Sequence, residues 1–130
     1  MNLNRISGEV VDAAITIHRE LGPGLLESVY EIVLAQELKQ RGFSVERQAP
    51  VSITYKEMHF EEGFRCDLLI ENQVIVELKS VESLSKLHKK QLLTYLILSG
   101  RQLGLLLNFG ESLMKDGIHR IVNSLDESKD

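Results

Sequence analysis

The chain has 130 residues, of which 43% are apolar and 26% charged, and it carries a net charge of −4. These values suit one globular domain over residues 1–130, with room for a real core and none for a second ordinary domain. They exclude a membrane span, since no run approaches ~20 apolar residues, and a surface coated in positive charge for non-specific duplex binding. The opening stretch MNLNRISGEVVDAA lacks the apolar run of a secretory signal. Cys66 is the only cysteine, so no intrachain disulfide or thiolate zinc site can form. A cytoplasmic protein is the expectation.

In chain order, Ile6, Val10, Ala13, Ala14, Ile17 and Leu21 recur at the spacing of a helix with one buried face. Gly22-Pro23-Gly24 stops that helix. A second is expected from Leu25 to Arg41, with Leu26, Val29, Tyr30, Val33, Leu34 and Leu38 inward and Gly42 as terminator. The period then becomes two. Phe43 and Val45 begin a strand that Pro50 interrupts, and Val51, Ile53 and Tyr55 resume the alternation. Lys56 to Gly63 reads as a polar connection with at most a short strand at Met58 to Phe60. Phe64–Glu71 and Gln73–Ser80 read as a hairpin joined at Asn72. A helix over Leu84–Ser99, ended by Gly100, follows, then a buried strand Leu103–Phe109 and a short one Ile118–Val122. This order predicts an α/β fold with one mixed sheet flanked by helices.

The strand VIVELKS poses the chemical question. Val74, Ile75 and Val76 read as buried core, yet Glu77 and Lys79 follow on one sheet face. If the turn is centred on Asn72, Asp67 lies directly opposite Glu77, with Cβ atoms ~5 Å apart. Two carboxylates that close repel unless a proton or a cation lies between them. Asp67, Glu77 and Glu27, with the carbonyl of Leu78, would suit a hard divalent cation such as Mg²⁺ or Mn²⁺. Lys79 would then stand beside the metal, able to hold or deprotonate a water or to offset phosphate charge. Gln91 and Tyr95 share a helix face one turn apart. Between Gln73 and Arg101, five Lys/Arg (Lys79, Lys86, Lys89, Lys90, Arg101) outnumber two acids (Glu77, Glu82), a local +3 that could meet a phosphate backbone. The four histidines show no metal-ligand spacing, with His88 the one nearest the site, and Cys66 reads as a small buried apolar residue.

The pattern D-x9-E-x-K followed by Q-x3-Y resembles the PD-(D/E)xK nuclease superfamily. The stretch HRELGPGLLESVYEIVLAQEL, with Gly24, Glu27 and Tyr30, is similar to the GxxExxY family, small prokaryotic proteins assigned to that superfamily. The resemblance runs from about Ile6 to the closing GIHRIV. It implies a restriction-endonuclease-like core, α-β-β-β-α-β, with an extra N-terminal helix. It implies that Asp67 and Glu77 are metal-ligand carboxylates, that Lys79 is the catalytic lysine and that Glu27 is the acid of the first core helix. Gln91 and Tyr95 match the QxxxY motif, whose glutamine supports the active site. Cys66 stands where the superfamily's name has proline.

The expectation is a Mg²⁺- or Mn²⁺-dependent nuclease, acting on DNA rather than RNA. Asp67, Glu77, Glu27 and the Leu78 carbonyl hold the metal, Lys79 and Gln91 complete the catalytic group, and Tyr95, Lys86, Lys89 and Lys90 meet substrate. A homo-oligomer could complete the DNA groove. The rival is a catalytically silent nucleic-acid or protein-binding module that keeps the nuclease fold. For Glu27 the competing reading is a helix-dipole acid, and for the lysines a solvated helix face.

Overall fold

Two helices, a sheet and a crossover helix account for residues 2–124, the part of the chain described by this computed structural model. α1 (Leu3–Leu21) starts at Asn2, whose side chain accepts the Arg5 N–H, and buries Ile6, Val10, Ala13, Ala14 and Ile17. Gly22 caps its end with φ 74, and Gly24 follows at φ 97, a backbone that favours glycine. α2 (Glu27–Gln40) buries Tyr30, Glu31, Leu34, Ala35 and Leu38. Leu26 and Val29, expected inward, are exposed, as is Leu21. Glu31 takes an inner position instead, where Arg47 and Gln48 partner it.

Five strands form one sheet in the order β1-β2-β3-β4-β5. They are β1 (Val45–Tyr55), β2 (Met58–Ile70), β3 (Val74–Lys79), β4 (Leu103–Asn108) and β5 (Ile118–Val122). β3 and β4 run parallel, joined by α3 (Lys86–Ser99), and the other neighbours are antiparallel. α1 and α2 cover one face over Leu68, Ile70, Val74, Val76, Leu78, Leu105 and Leu107. On the other face, Leu92 and Leu96 of α3 pack on Ala49, Val51, Cys66, Leu69, Ile75 and Leu106. Burial on both sides explains why β3 and β4 read as continuous apolar runs.

Two expectations change. Pro50 does not interrupt β1, because β1 is an edge strand, where a missing N–H costs no ladder bond. Lys56–Gly63 is not a loose connection: Lys56 and Glu57, at φ 48 and 66, make a tight turn, and β2 begins at Met58. The exposure of residues 54–62 along this arm hides its strand character from hydrophobic pattern. α3 starts at Lys86, two residues later than expected, after a capping box between Ser85 and His88.

Candidate active site

The register of the β2–β3 hairpin decides where the acids meet. Leu68, Leu69 and Ile70 pair with Val76, Ile75 and Val74 across a turn centred on Asn72. One rung further, Asp67 faces Glu77, and side chains take over from the backbone ladder. The Asp67 N–H donates to Glu77 Oε2 at 2.9 Å, and the Leu78 N–H donates to Asp67 Oδ2 at 2.8 Å. Burial pushes the Glu77 carboxyl up to about 8, and the Asp67 charge adds to this; the Asp67 N–H and Lys79 act in the opposite sense. Without a cation, Glu77 is therefore biased toward its protonated form.

A cavity of about 520 Å³ opens between α2 and the ends of β2 and β3, lined by Glu27, Glu31, Gln48, Asp67, Leu78 and Lys79. Lys79 is half-buried beside it. The donors are carboxylate, amide and carbonyl oxygens, the chemistry of a hard divalent cation. A half-buried acid pair fits such an ion. Among the described residues, however, no group of three or more His, Cys, Asp and Glu converges to hold one. Glu27 is exposed at the lip of the cavity and does not join Asp67 and Glu77. A second cavity, of about 590 Å³, lies between the end of α1 and Ser112–Lys115 and shares none of these residues.

Two residues that the sequence patterns did not single out shape this site. Gln48 lies between Arg47, paired with Leu68, and Ala49, paired with Cys66, and has φ 51. Consecutive residues of a regular strand point to opposite faces. Here Arg47 Nε and Gln48 Nε2 both donate to Glu31, at 3.1 and 2.7 Å. Gln48 Nε2 also reaches Asp67 Oδ1 at 3.3 Å. The alternation shifts by one across this point: Val45, Leu68 and Ile70 pack under α1 and α2, whereas Ala49, Val51 and Cys66 pack under α3. Glu31 lies one turn beyond Glu27, and that spacing was the one signal available for it.

The loop between α1 and α2 is tied to the same end of the sheet. The Tyr30 hydroxyl donates to the Gly22 carbonyl and accepts the Leu25 N–H, while its ring stacks on Phe109 at 4.3 Å. The Ser80 hydroxyl donates to the Leu25 carbonyl at 2.6 Å. Gly24 turns the chain, Glu27 opens α2 at the cavity, and Tyr30 pins the turn, so the Gly-Glu-Tyr spacing has a mechanical reason. Asn108 extends the sheet beyond Lys79: its amide accepts the Val81 and Gly110 N–H groups and donates to the Val81 carbonyl, each at 3.0 Å. A Cβ at Gly110 would fall 2.2 Å from the Val81 carbonyl oxygen, so only glycine fits.

Tyr95 stacks on Phe64 at 3.8 Å. Burial raises its phenol pKa, as do the charges of Glu77 and Asp67, and a hydrogen bond with Gln91 opposes them. Gln91 itself is exposed, beside Tyr95, with no hydrogen bond to the acids among the described residues. Lys86, Lys89 and Lys90 are exposed on the first turns of α3. Arg101 does not belong with them, since it sits past the far end of α3 and donates to Asn72. His88 closes the capping box of α3 with Ser85. Cys66 is buried and its thiol pushed up to about 12, chiefly by burial.

The family model described as the PD-(D/E)XK nuclease superfamily matches residues 4–121. The chain belongs to this superfamily. The crystal structure of a protein called SSO0001 shares its fold, at 24% identity with a TM-score of 0.51, covering 78% of this chain. The chain spans about half (52%) of that protein's length. No curated protein matches the chain. Superfamily membership suggests a hydrolase that cuts nucleic acid with a divalent metal, and the α/β order with an added N-terminal helix agrees. Among the described residues, no helix is long and apolar enough to cross a membrane.

Proposed function

We propose that this chain is a Mg²⁺- or Mn²⁺-dependent nuclease of the GxxExxY type, acting on DNA. The observation that carries the reading is the paired Asp67 and Glu77 at a break in the ladder, with Lys79 two residues on beside a cavity. Asp67, Glu77 and the Leu78 carbonyl would hold the metal, and Glu27 would act from the lip through water. The bound ion would supply Lewis-acid polarisation of the phosphate and a more acidic water. Lys79 would orient a water toward the phosphate and offset charge gathering on the phosphate oxygens. Tyr95, stacked on Phe64 near enough to feel the charge of the acids, and Gln91 beside it would line the substrate side of the site. Lys86, Lys89 and Lys90 lie on α3 where a phosphate backbone could run.

A specific observation favours the rival reading as well. Glu27 stands apart from the other two acids, which is what a binding module with a relic site would show. The test is cleavage of plasmid, single-stranded DNA and RNA with Mn²⁺, Mg²⁺ or EDTA, alongside Asp67→Ala. Cleavage of DNA that needs the metal and disappears in Asp67→Ala supports the nuclease. Mn²⁺ binding without cleavage of any substrate would establish the silent module instead.

A further inference from the structure

The buried face of β1 switches at Gln48, and that of β2 switches at Asp67, between the same paired neighbours. A strand residue with a Cβ at φ 51 is held in a conformation that L side chains rarely adopt, and such positions gather where the surroundings impose them. Several contacts impose this one. The Gln48 carbonyl accepts Arg65 Nη1 at 2.8 Å, and Arg65 is itself paired with Glu62 at 2.7 Å. On the other side, both amide hydrogens of Gln48 find carboxylates: Glu31 Oε1 at 2.7 Å and Asp67 Oδ1 at 3.3 Å. Gln48 is exposed, but Glu31 is buried and its charge is met by Arg47.

We propose that Gln48 is a positioning residue for Asp67: its amide fixes one carboxylate oxygen at the cavity, and the buried Glu31 of α2 anchors the amide. This rests on the nuclease reading, in which Asp67 faces the metal. The Leu78 N–H already holds Oδ2 from β3. With Gln48 on Oδ1, each oxygen is held by a different strand, and the carboxylate cannot swing about its Cβ–Cγ bond without losing one bond. A neutral amide suits this place. A lysine or arginine there would orient the carboxylate equally well but would compete with a cation for its charge. Partners of this kind behind a ligand tune metal affinity without touching the metal.

Two variants and two readouts separate positioning from mere support. Gln48→Gly removes the amide and also the strain, because glycine adopts φ 51 freely. Gln48→Met removes the amide while keeping the side chain's bulk. Each is titrated with Mn²⁺ by calorimetry, followed by the Mn²⁺ electron paramagnetic resonance spectrum, and each is melted without metal. The expected result is a melting temperature in Gln48→Gly equal to or above wild type, with Mn²⁺ bound about 10-fold more weakly or worse in both variants. Glu31→Gln should weaken Mn²⁺ in the same direction. Wild-type Mn²⁺ affinity and spectrum in both Gln48 variants would overturn the assignment, as would failure of both to fold, which would make the residue structural. A wild-type chain that binds no Mn²⁺ would instead defeat the nuclease reading itself, and this inference with it.

Discussion

The two halves of β3 obey different rules. Val74, Ile75 and Val76 have no exposed surface, bond to β2 and β4 through a regular ladder, and contribute only packing. Glu77, Leu78 and Lys79 keep the parallel ladder to β4 but exchange the ladder to β2 for bonds through carboxylates. The difference shows that a strand can give up its ladder on one side only. The closed side supplies rigidity, and the open side presents Asp67, Glu77 and Lys79 to the cavity end of the sheet.

Substitution in each half should separate those contributions. Lys79→Ala should lower Mn²⁺-dependent DNA cleavage at least ~10²-fold, with a melting curve close to wild type. Ile75→Ala should do the reverse. Removing its buried side chain should cost about 2–5 kcal/mol of stability by denaturant unfolding, while the protein that remains folded cleaves at the normal rate. Were Ile75→Ala to cut activity as deeply as Lys79→Ala, the two halves would not be separable.

The open side should also betray itself in the pH dependence of stability without metal. In the unfolded chain Glu77 ionises near 4.5, and in the folded chain it keeps its proton to about 8. Unfolding therefore releases a proton between those values. The contribution is fully present below about pH 4.5 and is lost as pH rises to about 8. Thermal melts in EDTA across this window should show stability falling with pH, and Glu77→Gln should flatten the slope. An unchanged slope in Glu77→Gln would place the titration elsewhere. The smallest effect is expected at the loop. Tyr30→Phe loses the bond to Gly22 and should cost ~1 kcal/mol, measured by chemical denaturation.

The elements whose side chains alternate or repeat against a core were legible from sequence. β3, β4 and the inner face of α1 follow their periods, and the turn at Asn72 set the register that brings Asp67 to Glu77. Legibility failed where burial was not the organising force. The β1–β2 arm is exposed over residues 54–62, so its few apolar residues, Tyr55, Met58 and Phe60, marked only fragments of its two strands. Leu26 and Val29 lie on the outer side of α2, where apolarity gives no clue to facing. Gln48 was invisible, because a left-handed backbone at glutamine has no local code and arises from partners 17 and 19 positions away. Glu77 and Lys79 stood out because charges end an apolar strand, and Asp67 because the turn at Asn72 sets it opposite Glu77 in the D-x9-E-x-K spacing.

The kink at Gln48 has a second consequence, for how copies of the chain meet one another. β1 is an open edge of the sheet, and exposed edges invite other strands to pair and aggregate. In its 11 residues, Gln48 turns the backbone, Pro50 offers no N–H, and the register slips between Val51 and Ile53. An incoming strand meets no long unbroken row of donors and acceptors. The irregularity that brings Asp67 to the cavity therefore also guards the edge of the sheet, and straightening β1 would put site geometry and solubility at risk together.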